Sequence, residues 1–233
     1  MKLFAILALL IPSATSLDQV KMMTGPLSSS NATIYFGYGS NLWLHQMHSR
    51  CPTSKYLGIA RLNRFKWIIN DRGYANVVEV KGEKVSGHGK YNEVVFGLVY
   101  SLEPADEERL DKNEGVPIAY TKENLPCDFW SAGTPSSPES HHRKINTSDP
   151  PTYTRDMLVY IDRKRITPDE PRKEYVYRMN QGIKDAVNLG LPIEYVDQAM
   201  RRYLPVEKGD EGRELEEFAK GQAAGFKDES GVF

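Results

Sequence analysis

The chain has 233 residues, 40% hydrophobic and 26% charged, with 30 basic against 31 acidic side chains. That length fits about one domain with appended segments and a sizeable core. The near-neutral balance gives no general pull towards nucleic acid or anionic membrane, and it suits a small neutral or zwitterionic ligand.

Met1-Lys2, the apolar run 3–11, Pro12 and Ala14-Thr15-Ser16 have the layout of a secretory signal peptide cleaved near Ser16. The run is too short to span a bilayer, and nothing later is apolar enough for a membrane helix. Residues 1–16 therefore predict export, to the secretory pathway or the extracellular space if the leader functions and a cytoplasmic protein otherwise. Residues 17–33 read as a flexible arm. Asn31-Ala32-Thr33 and Asn146-Thr147-Ser148 are N-glycosylation sequons, which matter only if the leader works. For Cys51 and Cys127 two readings stand: one long-range disulfide, or two buried free thiols. With no C-x-x-C or H-x-x-x-H spacing, and with His141-His142 alone in a polar loop, no metal site is expected.

Ile34-Tyr35-Phe36 reads as a strand that breaks at Gly37 and Gly39 and passes through Ser40-Asn41 into a helix from Leu42 to about Arg50. Glycines let the backbone approach a bound group, and the first amides of a helix have no intrahelical acceptor, so the turn suits an anion such as a carboxylate. As an isolated G-x-G-S-N it equally reads as an ordinary strand-to-helix turn with Ser40 or Asn41 as N-cap. A dinucleotide motif would need Gly at Leu42, and there is no G-K-[ST], so nucleotide binding is not expected.

Strand compositions follow at 56–62, 65–69 and 74–80, with Asp71-Arg72-Gly73 as a turn, and then a loop rich in glycine and charge. The run 93–100 is nearly continuously apolar, which predicts burial on both faces. Residues 104–115 read as a short helix: Pro104 suits its first turn, acidic residues crowd its start, and Gly115 ends it. Ala119 to Trp130 reads as a strand, 131–151 as a long surface loop, and 152–161 as a strand. Tyr175, Met179, Ile183, Ala186 and Val187 recur at helical spacing up to Gly190. Pro192 opens a second helix with Ile193, Val196, Met200, Tyr203 and Leu204 on its inner face. Residues 205–233 read as a charged tail with one helical stretch at 211–220 and a frayed end. The sum, five or six strands and few alternating helices, predicts an α+β domain over 34–204, built on a small mixed β-barrel.

Two stretches taken together carry a resemblance: Tyr35-Phe36-Gly37-Tyr38-Gly39-Ser40-Asn41-Leu42, and the strand Phe96–Tyr100 leading to Leu110-Asp111-Lys112-Asn113-Glu114-Gly115. The pair resembles the γ-glutamylcyclotransferase family, over about residues 34–204. Ala60-Arg61-Leu62, Tyr120, Tyr175 and Gly190-Leu191-Pro192 fall in matching order. The likeness is closer to the γ-glutamyl-amino-acid branch than to the glutathione-degrading one.

The resemblance implies the cyclotransferase barrel and conversion of a γ-glutamyl amide into 5-oxoproline and a free amine, without cofactor or metal. Glu114 matches the family's acid/base. Tyr35, Phe36, Gly37, Tyr38, Gly39, Ser40 and Asn41 match the substrate-binding loop, and Tyr175 and Tyr120 match pocket tyrosines. The only ligand implied is a small γ-glutamyl compound, an amino-acid or peptide derivative or a glutathione adduct. Some fungal relatives act on such adducts in sulfur-containing secondary metabolism. No nucleic acid or membrane partner is implied after leader removal, and a homodimer is compatible. Gly37, where alanine is common, the long 131–151 loop and the leader depart from the family's pattern.

Independently of any family, Glu114 at a helix C-terminus with Asp111 three residues earlier should have a raised pKa, from the macrodipole, the neighbouring charge and burial. That suits a base that later acts as an acid. A catalytically silent binder of the same fold would not need this carboxylate. A hydrolase would release glutamate instead of 5-oxoproline.

Overall fold

In the computed structural model, residues 32–82, 91–133, 144–206, 211–228 and 230 are described, side chains 211–214 excepted. The leader, nearly all of the arm, Asn31, the His pair and residues 134–143 of the 131–151 loop lie outside these residues. Among them are seven strands and five helices.

Five strands close a barrel in the order β1 (Thr33–Gly37), β5 (Val94–Leu102), β2 (Lys55–Asn63), β6 (Thr121–Ser131) and β7 (Tyr153–Ile161). Neighbours pair antiparallel except at the closure, where β1 runs parallel to β7 with Tyr35 opposite Leu158. The barrel is therefore mixed, as the sequence predicts. Strand β5 is flanked on both edges, and Val95 to Tyr100 are buried throughout, which is why that stretch dispenses with polar alternation. Fully burying side chains such as Phe36, Leu98 and Ile59 contributes about 1.5–3 kcal/mol each before entropy is counted.

Strands β3 (Phe65–Ile69) and β4 (Ala75–Glu79) form a separate hairpin. Its turn, closed by the Asn70 N–H on the Tyr74 carbonyl at 2.9 Å, projects Arg72 and Tyr74 towards the mouth of the barrel. Helix α1 (Leu44–Arg50) follows β1 through a 3₁₀ turn at Ser40–Leu42, and α2 (Pro104–Asn113) follows β5. The buried Asp106 of α2 accepts from the Thr53 N–H at 3.1 Å and its hydroxyl at 2.6 Å, tying the two helices together.

Helix α3 (Lys173–Leu189) ends at Gly190 in the left-handed conformation, φ +117°, as expected. The next helix departs from the prediction. Its α-helical part, α4 (Ile193–Tyr195), is three residues long and runs into a π-helical turn at Val196–Met200. The wider turn breaks the 3.6-residue stripe, so Tyr195, Val196, Met200 and Leu204 are buried while Ile193 is 48% exposed.

Helix α5 (Glu211–Ala224) contains the predicted stretch, but the segment around it is not a loose tail. Ala219 and Ala223 are buried with Trp43 of the 3₁₀ turn's end and Tyr177 of α3 in a second small core. Cys51 and Cys127 are both free and buried, so the free-thiol reading holds.

Candidate active site

Helix α2 ends in a Schellman arrangement: the Gly115 N–H bonds the Lys112 carbonyl at 3.2 Å and the Val116 N–H bonds the Asp111 carbonyl at 3.0 Å. Gly115 takes φ +63°, which a glycine adopts without a Cβ penalty. The turn fixes Glu114 as the last residue before the reversal and directs its carboxylate into a cavity at the mouth of the barrel. The cavity has a volume of about 50 Å³. Of the residues named from the sequence, Tyr35, Tyr38, Gly39, Ser40, Asn41, Tyr120 and Tyr175 line it.

Phe36 and Gly37 do not. Residues alternate faces along β1, so Tyr35 faces the cavity while the Phe36 ring sits fully buried in the barrel core. Of the run expected to bind substrate, Tyr35 and residues 38–41 line the cavity and Phe36 and Gly37 do not.

Asn41 joins turn to carboxylate. Its Oδ1 accepts from Gln46 Nε2 at 2.7 Å and Arg50 Nη1 at 3.3 Å, which fixes the amide's orientation. Its Nδ2 then donates to the Tyr35 hydroxyl at 2.8 Å and to Glu114 Oε1 at 3.0 Å. Burial pushes the Glu114 carboxyl above its ordinary value, while Arg50, the Asn41 hydrogen bond, Arg72 and Arg178 hold the shift back. The direction matches the sequence expectation, and burial is the one of the three expected causes that carries it: Asp111 is turned to the Tyr160 hydroxyl and Lys122 instead.

Tyr175 is positioned by α3. Its hydroxyl accepts the backbone N–H of Ser40 at 3.2 Å and of Ala75 at 3.3 Å. Both lone pairs are then engaged, and the phenolic proton is left to donate. Burial pushes this phenol up to about 12, against Arg178 and the two amides, so it is a donor throughout the neutral range. Tyr120 donates to the Ala75 carbonyl at 2.8 Å and Tyr38 to the Tyr160 carbonyl at 2.6 Å. These two phenols build wall.

The turn is a less open anion seat than its sequence suggests. The Leu42 N–H bonds the Gly39 carbonyl, the Trp43 N–H bonds the Ser40 carbonyl, and the Ser40 N–H is taken by Tyr175. Any donor role falls to the amides of Gly39 and Asn41.

Sequence reasoning missed the cationic wall. Arg50, Arg72 and Arg178 line the cavity, each at most 3% exposed. Arg178 pairs with Glu174 through Nε at 2.7 Å and Nη2 at 3.0 Å, and its Nη1 donates to the Ser40 hydroxyl and Gln46 Oε1. Arg50 donates to the carbonyls of Ala223 and Gln222, each at 2.9 Å, and so docks the end of α5. Beyond α5, Phe226 lines the cavity, edge-on to Tyr74 with centroids 5.2 Å apart. Glu174 and Arg178 at i and i+4, beside the core stripe residues Tyr175 and Met179, were a legible sign of a buried pair.

Among the described residues no cluster of His, Cys, Asp and Glu could hold a metal ion. Asn146 is exposed and accepts the Ser148 N–H at 3.1 Å.

No family model matches the chain. A human protein named gamma-glutamylcyclotransferase is 32% identical over 106 residues, covering 41% of this chain and 50% of the relative. Its bovine counterpart of the same name is 30% identical over 93 residues, covering 36% and 44%. The chain thus spans half or less of the curated relatives it matches. A solved gamma-glutamyl cyclotransferase superposes with a TM-score of 0.54 at 22% identity, over 82% of this chain and 99% of that one. An uncharacterized human protein superposes with a TM-score of 0.55 at 22% identity, over 81% and 98%.

Proposed function

We propose that this chain, which is related to the γ-glutamylcyclotransferases and has their fold, converts a γ-glutamyl amide into 5-oxoproline and a free amine. The observation that carries the reading is the Glu114 carboxylate, held by Asn41 in a tyrosine-walled cavity with its pKa raised by burial.

In a γ-glutamyl compound the α-amine can reach the γ-carbonyl and close a five-membered lactam, so the substrate supplies its own nucleophile. The protein has to fold the substrate, move protons and stabilise the oxyanion. Glu114 takes a proton from the α-ammonium, and the freed amine attacks the γ-carbonyl carbon to form the ring C–N bond. The oxyanion is met by the Tyr175 hydroxyl and the amides of Gly39 and Asn41. Glu114 returns its proton to the departing nitrogen as the original C–N bond breaks, then takes the second proton from the ring nitrogen and passes it to the released amine, which leaves as the ammonium with the carboxylate as it began. A carboxyl with a raised pKa can do both. The buried aromatic walls keep water from the tetrahedral centre, which favours cyclisation over hydrolysis to glutamate.

The test is 5-oxoproline release from γ-glutamyl-alanine, glutathione and a bulky S-conjugate of glutathione, with Glu114→Gln alongside. Release that vanishes in the variant while binding persists supports the reading, and the preferred compound identifies the leaving amine. Glutamate as the released acid, or no release from any of the three, would refute it.

A further inference from the structure

The three cavity arginines differ in what holds them. Arg178 is committed to Glu174 of its own helix through two short contacts, and Arg50 to main-chain carbonyls of α5. Arg72 is met by the segment after α5. Its Nη2 lies 3.4 Å from Asp228 Oδ1, and its Nε donates to the Ser230 hydroxyl at 3.4 Å. These contacts are long beside the roughly 2.7–2.9 Å of a strong charged hydrogen bond. Both partners are nonetheless buried, Arg72 at 1% exposure and Asp228 at 0%. The guanidinium itself is preset, with Cζ 5.4 Å from the Tyr74 ring centroid and 5.3 Å from that of Tyr120.

The segment that brings Asp228 is lightly attached. The Phe226 N–H donates to Asn113 Oδ1 at 3.2 Å and the Lys227 N–H to Gln222 Oε1 at 2.8 Å, while the Lys227 side chain is exposed. Phe226 covers the cavity, under the guanidinium carbons of Arg50 at 5.8 Å and Arg178 at 5.6 Å. A fixed cation on a ligand cavity is thus occupied by a carboxylate on a short strap that can leave.

We propose that Arg72 is the carboxylate-binding residue of this cavity and that Asp228 is its internal substitute, displaced when the α-carboxylate of the γ-glutamyl group arrives. The identity of the ligand rests on the cyclotransferase reading; the exchange of one carboxylate for another on Arg72 does not. The strap then acts as a built-in competitor. If it is closed roughly nine-tenths of the time, it weakens apparent affinity about tenfold, because only the open fraction binds. It discriminates against ligands without a carboxylate, which cannot replace the contact they break.

Hydrogen exchange of the strap amides tests this on the full chain, with glutarate, 5-oxoproline and 2-pyrrolidinone, the last being the same lactam without a carboxylate. Glutarate and 5-oxoproline should bind and speed exchange at Phe226, Lys227 and Ser230, whereas 2-pyrrolidinone should not. Asp228→Asn should free the strap without ligand and tighten glutarate binding about tenfold, lowering KM with kcat little changed. Arg72→Gln should abolish the response to carboxylates. Arg72→Lys, which keeps the charge, should retain part of it and covers the case in which the glutamine variant fails to fold. Failure of glutarate to bind, strap amides slowed or unchanged by it, or no tightening in Asp228→Asn would overturn the proposal. A strap that answers glutarate in a protein that releases no 5-oxoproline would retire the cyclotransferase reading and leave the exchange standing.

Discussion

Gly39 and the Tyr175 phenol share a space too small for one more carbon. A Cβ at position 39 would lie 2.9 Å from Tyr175 Oη and 3.3 Å from the Ala75 Cβ, so the phenol of a Gly39→Ala variant must retreat. In retreating it loses the N–H groups of Ser40 and Ala75, at 3.2 and 3.3 Å. Two neutral hydrogen bonds are worth about 1 kcal/mol each, and overpacking a filled site typically costs about 1–3 kcal/mol. Gly39→Ala should therefore destabilise by about 3–5 kcal/mol. Tyr175→Phe strands the same two amides without adding a methyl group, at about 1–3 kcal/mol. The double variant loses those hydrogen bonds once and has room for the methyl, so its cost should fall short of the sum by about 3–5 kcal/mol. Urea unfolding of the four proteins, with similar m-values as the check on a common unfolded state, measures this coupling. Additivity within about 0.5 kcal/mol would mean that Tyr175 Oη does not depend on the missing side chain at 39, and the account of the turn would fall.

Three further outcomes follow from the same contacts. Glu114→Gln should lower kcat by about 10²–10⁴-fold, the usual range for losing an acid/base group. Because burial raises the folded-state pKa of Glu114 above its unfolded value, the stability it contributes is present below the unfolded pKa and lost as pH rises through the folded one. The glutamine variant should accordingly gain on the wild type in urea midpoint between pH 4 and pH 8; a constant gap would contradict the raised pKa. Asn41→Asp would put a second carboxylate beside Glu114 Oε1, now 3.0 Å from the Asn41 amide, and the acid limb of kcat/KM should move to higher pH. An unmoved limb would show that Glu114 is not the group titrating there. Arg50→Met removes the donors to Ala223 and Gln222, at a cost of about 3 kcal/mol, and should release α5 to trypsin well before the barrel unfolds; equal protection of α5 in both proteins would refute that anchoring role.

Local signals in the sequence reached the barrel and half of the site. The apolar run of β5, the turn at residues 71–73, and the Glu114-Gly115 helix end all state their conformation within a few residues, and the structure agrees with each. Phe36 was placed at the cavity because a motif was carried over as a block, whereas a strand turns alternate residues away from any one site; Gly37 shares the face of Tyr35, and a Cβ there would touch Tyr35 and Asn41. Ile193 was misplaced because a π-turn adds a residue that no 3.6-residue count anticipates. Arg50 and Arg72 were not legible, since on a single chain they look like solvated charges. Only closure of α3, α5 and the β3–β4 turn over the barrel mouth converts them into a buried wall. Phe226 is one of three phenylalanines in the charged tail, with Phe218 and Phe233, and nothing local marks it out for the cavity wall it forms.

That wall bears on why a single carboxylate can suffice. In water an α-ammonium, pKa about 8, holds its proton against a glutamate, pKa about 4.3, by roughly 3.5 units or about 5 kcal/mol. Transfer between them destroys an ion pair and leaves two neutral groups, so a dry site favours it from both ends: burial raises the acid and lowers the ammonium. Arg50, Arg72 and Arg178 work against this by stabilising the Glu114 anion. Glu174 already offsets Arg178, and Asp228 offsets Arg72, which leaves Arg50, resting on uncharged carbonyls and Asn41, as the first of the opposing charges. Under the proposed exchange, a ligand carboxylate that replaced Asp228 on Arg72 would keep that offset while the ligand filled the cavity and excluded water from Glu114. Exchange of like for like would let the site bind an anion without tightening the hold on the proposed proton acceptor, a condition that an uncompensated arginine at position 72 would not meet.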